Sequence, residues 1–162
     1  MGHADDIAGR VHRAYAWGRN GQIHYRRSGP SGARSPLLLI HGAQGGGSFE
    51  TFMSDMGHER SVIAPDLPGT GMSDALKGAG GPAACADAML AVVAELGLGM
   101  VDVLAVSAGG EVAVEMARQQ PDVVRKLVLV AAPAPAGLLS QPTLALDTAA
   151  FNAAAVRNFL DR

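Results

Sequence analysis

The sequence predicts an α/β fold: a mostly parallel sheet with helices on both faces. Two observations carry this. Short, continuous apolar runs recur at 37–40, 61–64, 101–106 and 126–131. Each has the length and composition of a strand buried on both faces. Helix-like stretches separate them at 48–56, 82–96 and 109–120. Strands alternating with helices build right-handed βαβ units and a covered parallel sheet.

Composition agrees with a single packed body. The chain has 162 residues, 48% of them apolar and 17% charged. That apolar share matches globular proteins and excludes a disordered polyampholyte. Net charge is −2, with no Lys/Arg run. A nucleic-acid partner is therefore not expected. Cys85 is the one cysteine. It has no internal disulfide partner and no second thiol at zinc-ligand spacing, so reducing, cytoplasmic surroundings are expected. The first ten residues are polar with two early acids, unlike a signal peptide. The apolar runs fall far short of the ~18 residues of a membrane span.

Taken in order, the chain opens with two strand-like runs, 13–19 and 22–27, around Asn20-Gly21. Asn-Gly between such runs is the strongest short hairpin signal. A loop dense in Gly, Ser and Pro follows at 28–36. The run 37–40 lies between Pro36 and His41-Gly42. The helix over 82–96 has Pro82 at its start and Gly97 at its stop, and the helix over 109–120 ends before Pro121. From 133 onward the chain is Pro-, then Ala-rich. It reads as helix from about Leu144, with Phe151, Val156, Phe159 and Leu160 on one face and no further strand. The expected organisation is a core over 1–132 and the start of a lid or cap over 133–162.

The stretch 101–117 carries the chemistry. A buried strand runs straight into Ser107, then small residues, then a helix. A sharp strand–Ser–helix turn is strained and needs small neighbours. Ala105, Ala108, Gly109 and Gly110 meet that need. The turn lifts a hydroxyl to the sheet's C-terminal edge, where amides and the positive helix end favour an oxyanion. This is the nucleophile-elbow pattern G-x-S-x-G with its first glycine replaced by Ala105.

With these residues the chain resembles the N-terminal part of the α/β-hydrolase superfamily, in the style of esterases, lactonases and C–C-bond hydrolases. Three further segments match in order: 37–43 with its His-Gly pair, 62–74, and 119–130. The resemblance implies that Ser107 is the nucleophile and that the Ala43 and Ala108 N–H groups form the oxyanion hole. His41, Gly42 and Gly109 would shape the surrounding loops, and Asp66, Gly69, Gly71 and Ser73 would form a structural loop. It implies a small-molecule substrate with an ester-like or other carbonyl group. It implies no cofactor and no metal. A serine in place of aspartate argues against epoxide-hydrolase or dehalogenase chemistry.

The match has a break. The superfamily orders its triad Ser, then acid, then His, and all five histidines here precede Ser107. After the strand at 126–131 stands Ala132-Pro133-Ala134, with no carboxylate. The chain is thus expected to lack the last two strands, the acid and the base. A truncated fragment or pseudoenzyme, acting as an interaction module, is the rival reading. His41 as a substitute base is weighed against a plain loop role, which is favoured. Asp66 reads as a turn carboxylate and Glu111 as a favourable charge in the helix's first turn. Gly45-Gly46-Gly47 lacks a P-loop lysine and reads as a flexible loop. The strand 126–131 is expected to be an exposed apolar edge, open to self-association or a partner chain.

Overall fold

In a computed structural model, the described residues are 9–133, 135, 137 and 139–162. They form seven strands and four helices. The elements are β1 (His12–Gly18), β2 (Gly21–Ser28), β3 (Leu37–Ile40), α1 (Glu50–Met56), β4 (Val62–Pro65), α2 (Pro82–Glu95), β5 (Val101–Val106), α3 (Gly109–Gln119), β6 (Val124–Val130), β7 (Thr143–Leu146) and α4 (Ala153–Leu160). A 3₁₀ turn, Gly46–Phe49, leads into α1. One sheet takes the order β1-β2-β4-β3-β5-β6-β7. From β4 to β7 every pairing is parallel, and β1 and β2 join antiparallel.

The central strands explain their composition. All four residues of β3, Leu37 to Ile40, are fully buried, because helices cover both faces. One face carries Leu38, Ile40, Val103 and Ala105 against Met89 and Val93 of α2 and Ala113 and Met116 of α3. The other carries Leu37, Leu39, Leu104 and Val128 against Met53 and Met56 of α1 and Val156 and Leu160 of α4. Side chains alternate between these faces with the strand period of two. The hairpin sits one residue from its expected place. Gly18 pairs with Gly21, so the two-residue turn is Arg19-Asn20, and Gly21 takes the positive φ of 148°.

The segment after Pro133 departs from its expectation. β7 pairs parallel to β6, Val130 opposite Leu146. The residues 126–131 are therefore not an exposed edge, and the sheet of the described residues runs one strand further. The helix starts at Ala153 rather than near Leu144. The segment expected to open a lid instead adds a strand and a helix to the core. The expected boundary at 132/133 falls within one continuous sheet. Leu144 and Leu146 have the strand spacing of two, but the run is only four residues long and the Ala-rich stretch after it reads as helix, which hid the strand. Among the described residues no helix is long and apolar enough to cross a membrane.

The N-terminal end of β5 is fastened by charge. Arg125 grips buried Asp102 with two bonds, Nε at 2.8 Å and Nη2 at 2.6 Å. Arg60 lies between Asp102 and Asp161 with its side chain 1% exposed. Arg125 and Lys126 also donate to the last carbonyls of α4, at 3.0 Å to Leu160 and 2.9 Å to Phe159. These cations meet the negative end of the α4 dipole. Burial pushes the Asp102 carboxyl up, against the pull of Arg125, Arg60 and Lys126.

Candidate active site

At the opposite end of β5, Ser107 stands in the left-handed region with φ 53°. A non-glycine residue there costs about 1–3 kcal/mol and persists only where its surroundings over-determine it. Two bonds do so. The Ser107 N–H donates to the Val130 C=O at 2.9 Å, and the Gly110 N–H donates to the Ser107 C=O at 2.9 Å. The first extends the β5–β6 ladder one residue past the strand. The second opens α3. The Ser107 side is exposed at the sheet edge.

The small residues around it are required by contact. A Cβ on Gly109 would lie 2.6 Å from the His41 C=O and 2.7 Å from the Ile40 C=O. One on Gly42 would lie 3.0 Å from the Val106 C=O and 3.1 Å from the Ser107 Cβ. One on Gly110 would meet the Ala132 methyl. The elbow is thus wedged between the ends of β3 and β6, and Gly42 brings the His-Gly loop against Ser107. The Ala108 N–H lies 3.7 Å from the same Cβ position on Gly42, and the Ala43 N–H follows Gly42 in the chain. Among the described residues, no backbone carbonyl takes either of them.

His41 is 2% exposed and is held at both ring nitrogens. Nδ1 lies 2.6 Å from the Gly42 C=O, which only accepts, so Nδ1 carries the proton. Nε2 accepts the Leu67 N–H at 2.9 Å. The ring is a fixed neutral tautomer that ties the loop after β3 to the loop after β4. It has no lone pair left for Ser107, and the substitute-base reading fails on that geometry.

A polar knot that the sequence reading did not assemble holds these loops. Asp66, 2% exposed, accepts from His24 Nδ1 at 2.9 Å, Arg26 Nη1 at 3.0 Å and the Met72 N–H at 3.1 Å. Burial acts to raise its carboxyl, but the Met72 N–H, His24 and Arg26 outweigh it and hold it below the usual value. Arg26 Nε also reaches Glu50 at 3.1 Å. Its guanidinium lies beside Gly46 and Gly47, where a Cβ would come within 3.3 Å. This explains Gly46 and Gly47, whereas Gly45 is needed for its positive φ of 75°. Asp66 is the turn carboxylate expected of it.

One residue of chemical interest went unnoticed in the sequence. Asp147 directly follows β7. Because Val106 pairs with Val130 and Val130 with Leu146, Ser107, Ala131 and Asp147 form one row along the C-terminal edge. Two strand spacings separate Ser107 from Asp147, about 10 Å between backbones. Ala131, between them, is the second non-glycine residue with positive φ, 48°. The available signal was an acid closing a short apolar run, the pattern that Asp66 shows after β4. Beside the elbow, a cavity of about 310 Å³ is lined by Gly110, Glu111, Val114, Arg118 and Pro133, among others. Among the described residues, no group of three His, Cys, Asp or Glu is placed to hold a metal ion.

Comparison with known proteins agrees with this architecture. Residues 35–161 match the family model described as alpha/beta hydrolase fold. A 2-hydroxymuconate semialdehyde hydrolase of Pseudomonas putida is 35% identical over 123 residues, which are 70% of this chain and 41% of that protein. An esterase from Thermogutta terrifontis superposes with TM-score 0.65 at 27% identity, covering 78% of this chain and 48% of the esterase. The epoxide hydrolase CorEH gives TM-score 0.71 at 26% identity, covering 81% and 47%. The chain spans less than half the length of each of these proteins.

Proposed function

The chain belongs to the α/β-hydrolase fold family, and we propose that it carries the nucleophile half of a serine hydrolase acting on an ester-like or other small carbonyl substrate. The observation behind this reading is the strained, exposed Ser107 between β5 and α3. A backbone cost of that size at a sheet edge has no packing return. It does present Oγ to a ligand.

In this reading Ser107 Oγ attacks the substrate carbonyl carbon and its proton passes to a base. The carbonyl oxygen becomes an oxyanion between the Ala43 and Ala108 N–H groups, at the positive end of α3. The intermediate collapses, the leaving group departs with the proton, and an acyl-Ser107 ester remains. Water then attacks that ester, giving the acid and restoring Oγ–H. Gly42 and Gly109 let the two donors approach, and the neutral His41 fixes the loop that carries one of them. Asp147 is the carboxylate best placed to orient a base, two strands from Ser107.

The base itself is not among these residues. All five histidines precede Ser107, and His41 is consumed by the loop. A serine hydroxyl is a weak nucleophile without an adjacent base. The same observation favours a second reading, in which this stretch alone is a non-catalytic binding module. Labelling with a fluorophosphonate probe, beside Ser107→Ala, separates the two. Ser107-dependent labelling supports an activated nucleophile. A folded sample that takes no label supports the binding-module reading for this stretch.

A further inference from the structure

At the end of the sheet opposite Ser107 lies another cavity, of about 320 Å³. That is enough for a small molecule. Its walls come from β2, the loop after it, the start of β4 and the turn between α2 and β5. Arg27, Ser31 and Ser61 supply polar groups, and Pro36, Leu96 and Leu98 supply apolar ones. Among the described residues, no acidic side chain lines it. Its level in the sheet is that of Asp102, because Leu37 pairs with both Val62 and Asp102.

Two of the polar groups lack the partners such groups usually have. Ser61 is 3% exposed, and its hydroxyl has no hydrogen-bond partner among the described residues. Buried polar atoms are nearly always paired, so an orphan on a cavity wall marks a place for a ligand. Arg27 is half-buried, and its Nη2 donates to Ser31 Oγ at 2.7 Å. Among the described residues no carboxylate pairs with Arg27. Every other arginine from Arg13 to Arg157 meets one.

We infer that this cavity binds a small carboxylate with a short aliphatic tail. The carboxylate accepts from the Arg27 guanidinium and from the Ser61 hydroxyl. The Ser31 oxygen already accepts from Arg27, so its own proton is free to donate to the same group. A carboxylate only accepts, and all three side chains can donate to it. The tail lies on Pro36, Leu96 and Leu98. A neutral ligand would leave the guanidinium unanswered, and inorganic phosphate would leave the apolar wall uncovered. The site stands apart from Ser107 and takes no part in acyl transfer.

The test is a titration of the isotope-labelled 162-residue chain with sodium butyrate at constant ionic strength, followed by nuclear magnetic resonance. The expected result is a saturable shift of the Arg27 Nε–H and of the Gly32 and Gly97 amides. Butanol and inorganic phosphate are expected to bind more weakly. Arg27→Gln is expected to weaken butyrate at least about tenfold, as loss of a hydrogen bond from a charged group does. Ser61→Ala is expected to weaken it several-fold without loss of stability, because deleting an unpaired hydroxyl strands no partner. The alanine variant decides the matter should the glutamine variant unfold. Each of four results overturns the proposal: no saturable shift, butanol or phosphate as tight as butyrate, unchanged affinity in the folded variants, or a Ser61→Ala that loses stability and keeps its affinity.

Discussion

The two ends of β5 solve opposite problems. At its N-terminal end Asp102 is fully buried between two arginines, and the charges tie β5, β6 and α4 together. At its C-terminal end, five residues on, Ser107 is exposed, strained and ringed by glycines. One end spends groups on cohesion. The other holds a hydroxyl where cohesion gains nothing. Stability and site thus sit at opposite ends of one strand, and substitutions at Asp102 and at Ser107 are expected to differ in sign as well as size.

The largest effect is expected at the charged end. Asp102→Ala leaves Arg60 buried and without its inner carboxylate. Breaking a buried pair from one side costs about 3–5 kcal/mol, read as a lower denaturant midpoint. A loss under about 1 kcal/mol would mean that water already relieves these charges. Next comes Gly109→Ala. Its new methyl runs into two carbonyls at the end of β3. Overpacking of this kind costs about 1–3 kcal/mol, and urea unfolding measures it.

Ser107→Gly has the opposite sign. Releasing a left-handed non-glycine residue is expected to raise stability by about 1 kcal/mol. Ser107→Ala keeps the strain and is expected to leave stability nearly unchanged. Equal stabilities for the glycine and alanine variants would mean that the elbow stores no strain.

The smallest effect concerns acid. Asp66 is held below its ordinary value by the Met72 N–H, His24 and Arg26 against the effect of burial, and Glu50 by Arg13 and Arg26. A depressed carboxyl contributes stability above its unfolded value, near pH 4. That contribution fades as pH falls through the folded value. Asp66→Asn is expected to flatten the acid limb of the stability profile. A limb of unchanged slope would place the acid sensitivity elsewhere.

Much of this molecule is legible in the sequence because its signals are local. The runs that became β3, β4 and β5 are short and unbroken, which parallel strands buried on both faces require. The elbow is legible because a strained turn forces small residues into consecutive positions. β7 was not, since its two leucines make a strand of only four residues beside a longer Ala-rich stretch that reads as helix. Asp147 was lost with it. The Arg26–Asp66 knot and the Arg60–Asp102 pair were equally hidden. Each joins residues about forty apart, and nothing local marks a charge that will meet its partner across a sheet.

The strand order also sets a schedule for synthesis. β3 lies between β4 and β5, so its second neighbour is made long after it. The ribosome must add the residues from Ile40 to Val106 before the centre of the sheet can close. At about 5–20 residues per second, roughly 3–13 seconds pass. During that interval Leu37-Leu38-Leu39-Ile40 waits with both edges unpaired until β4 is made and with one unpaired thereafter. The nascent chain is most vulnerable to aggregation there, and a chaperone is expected to hold it until Ser107 has emerged.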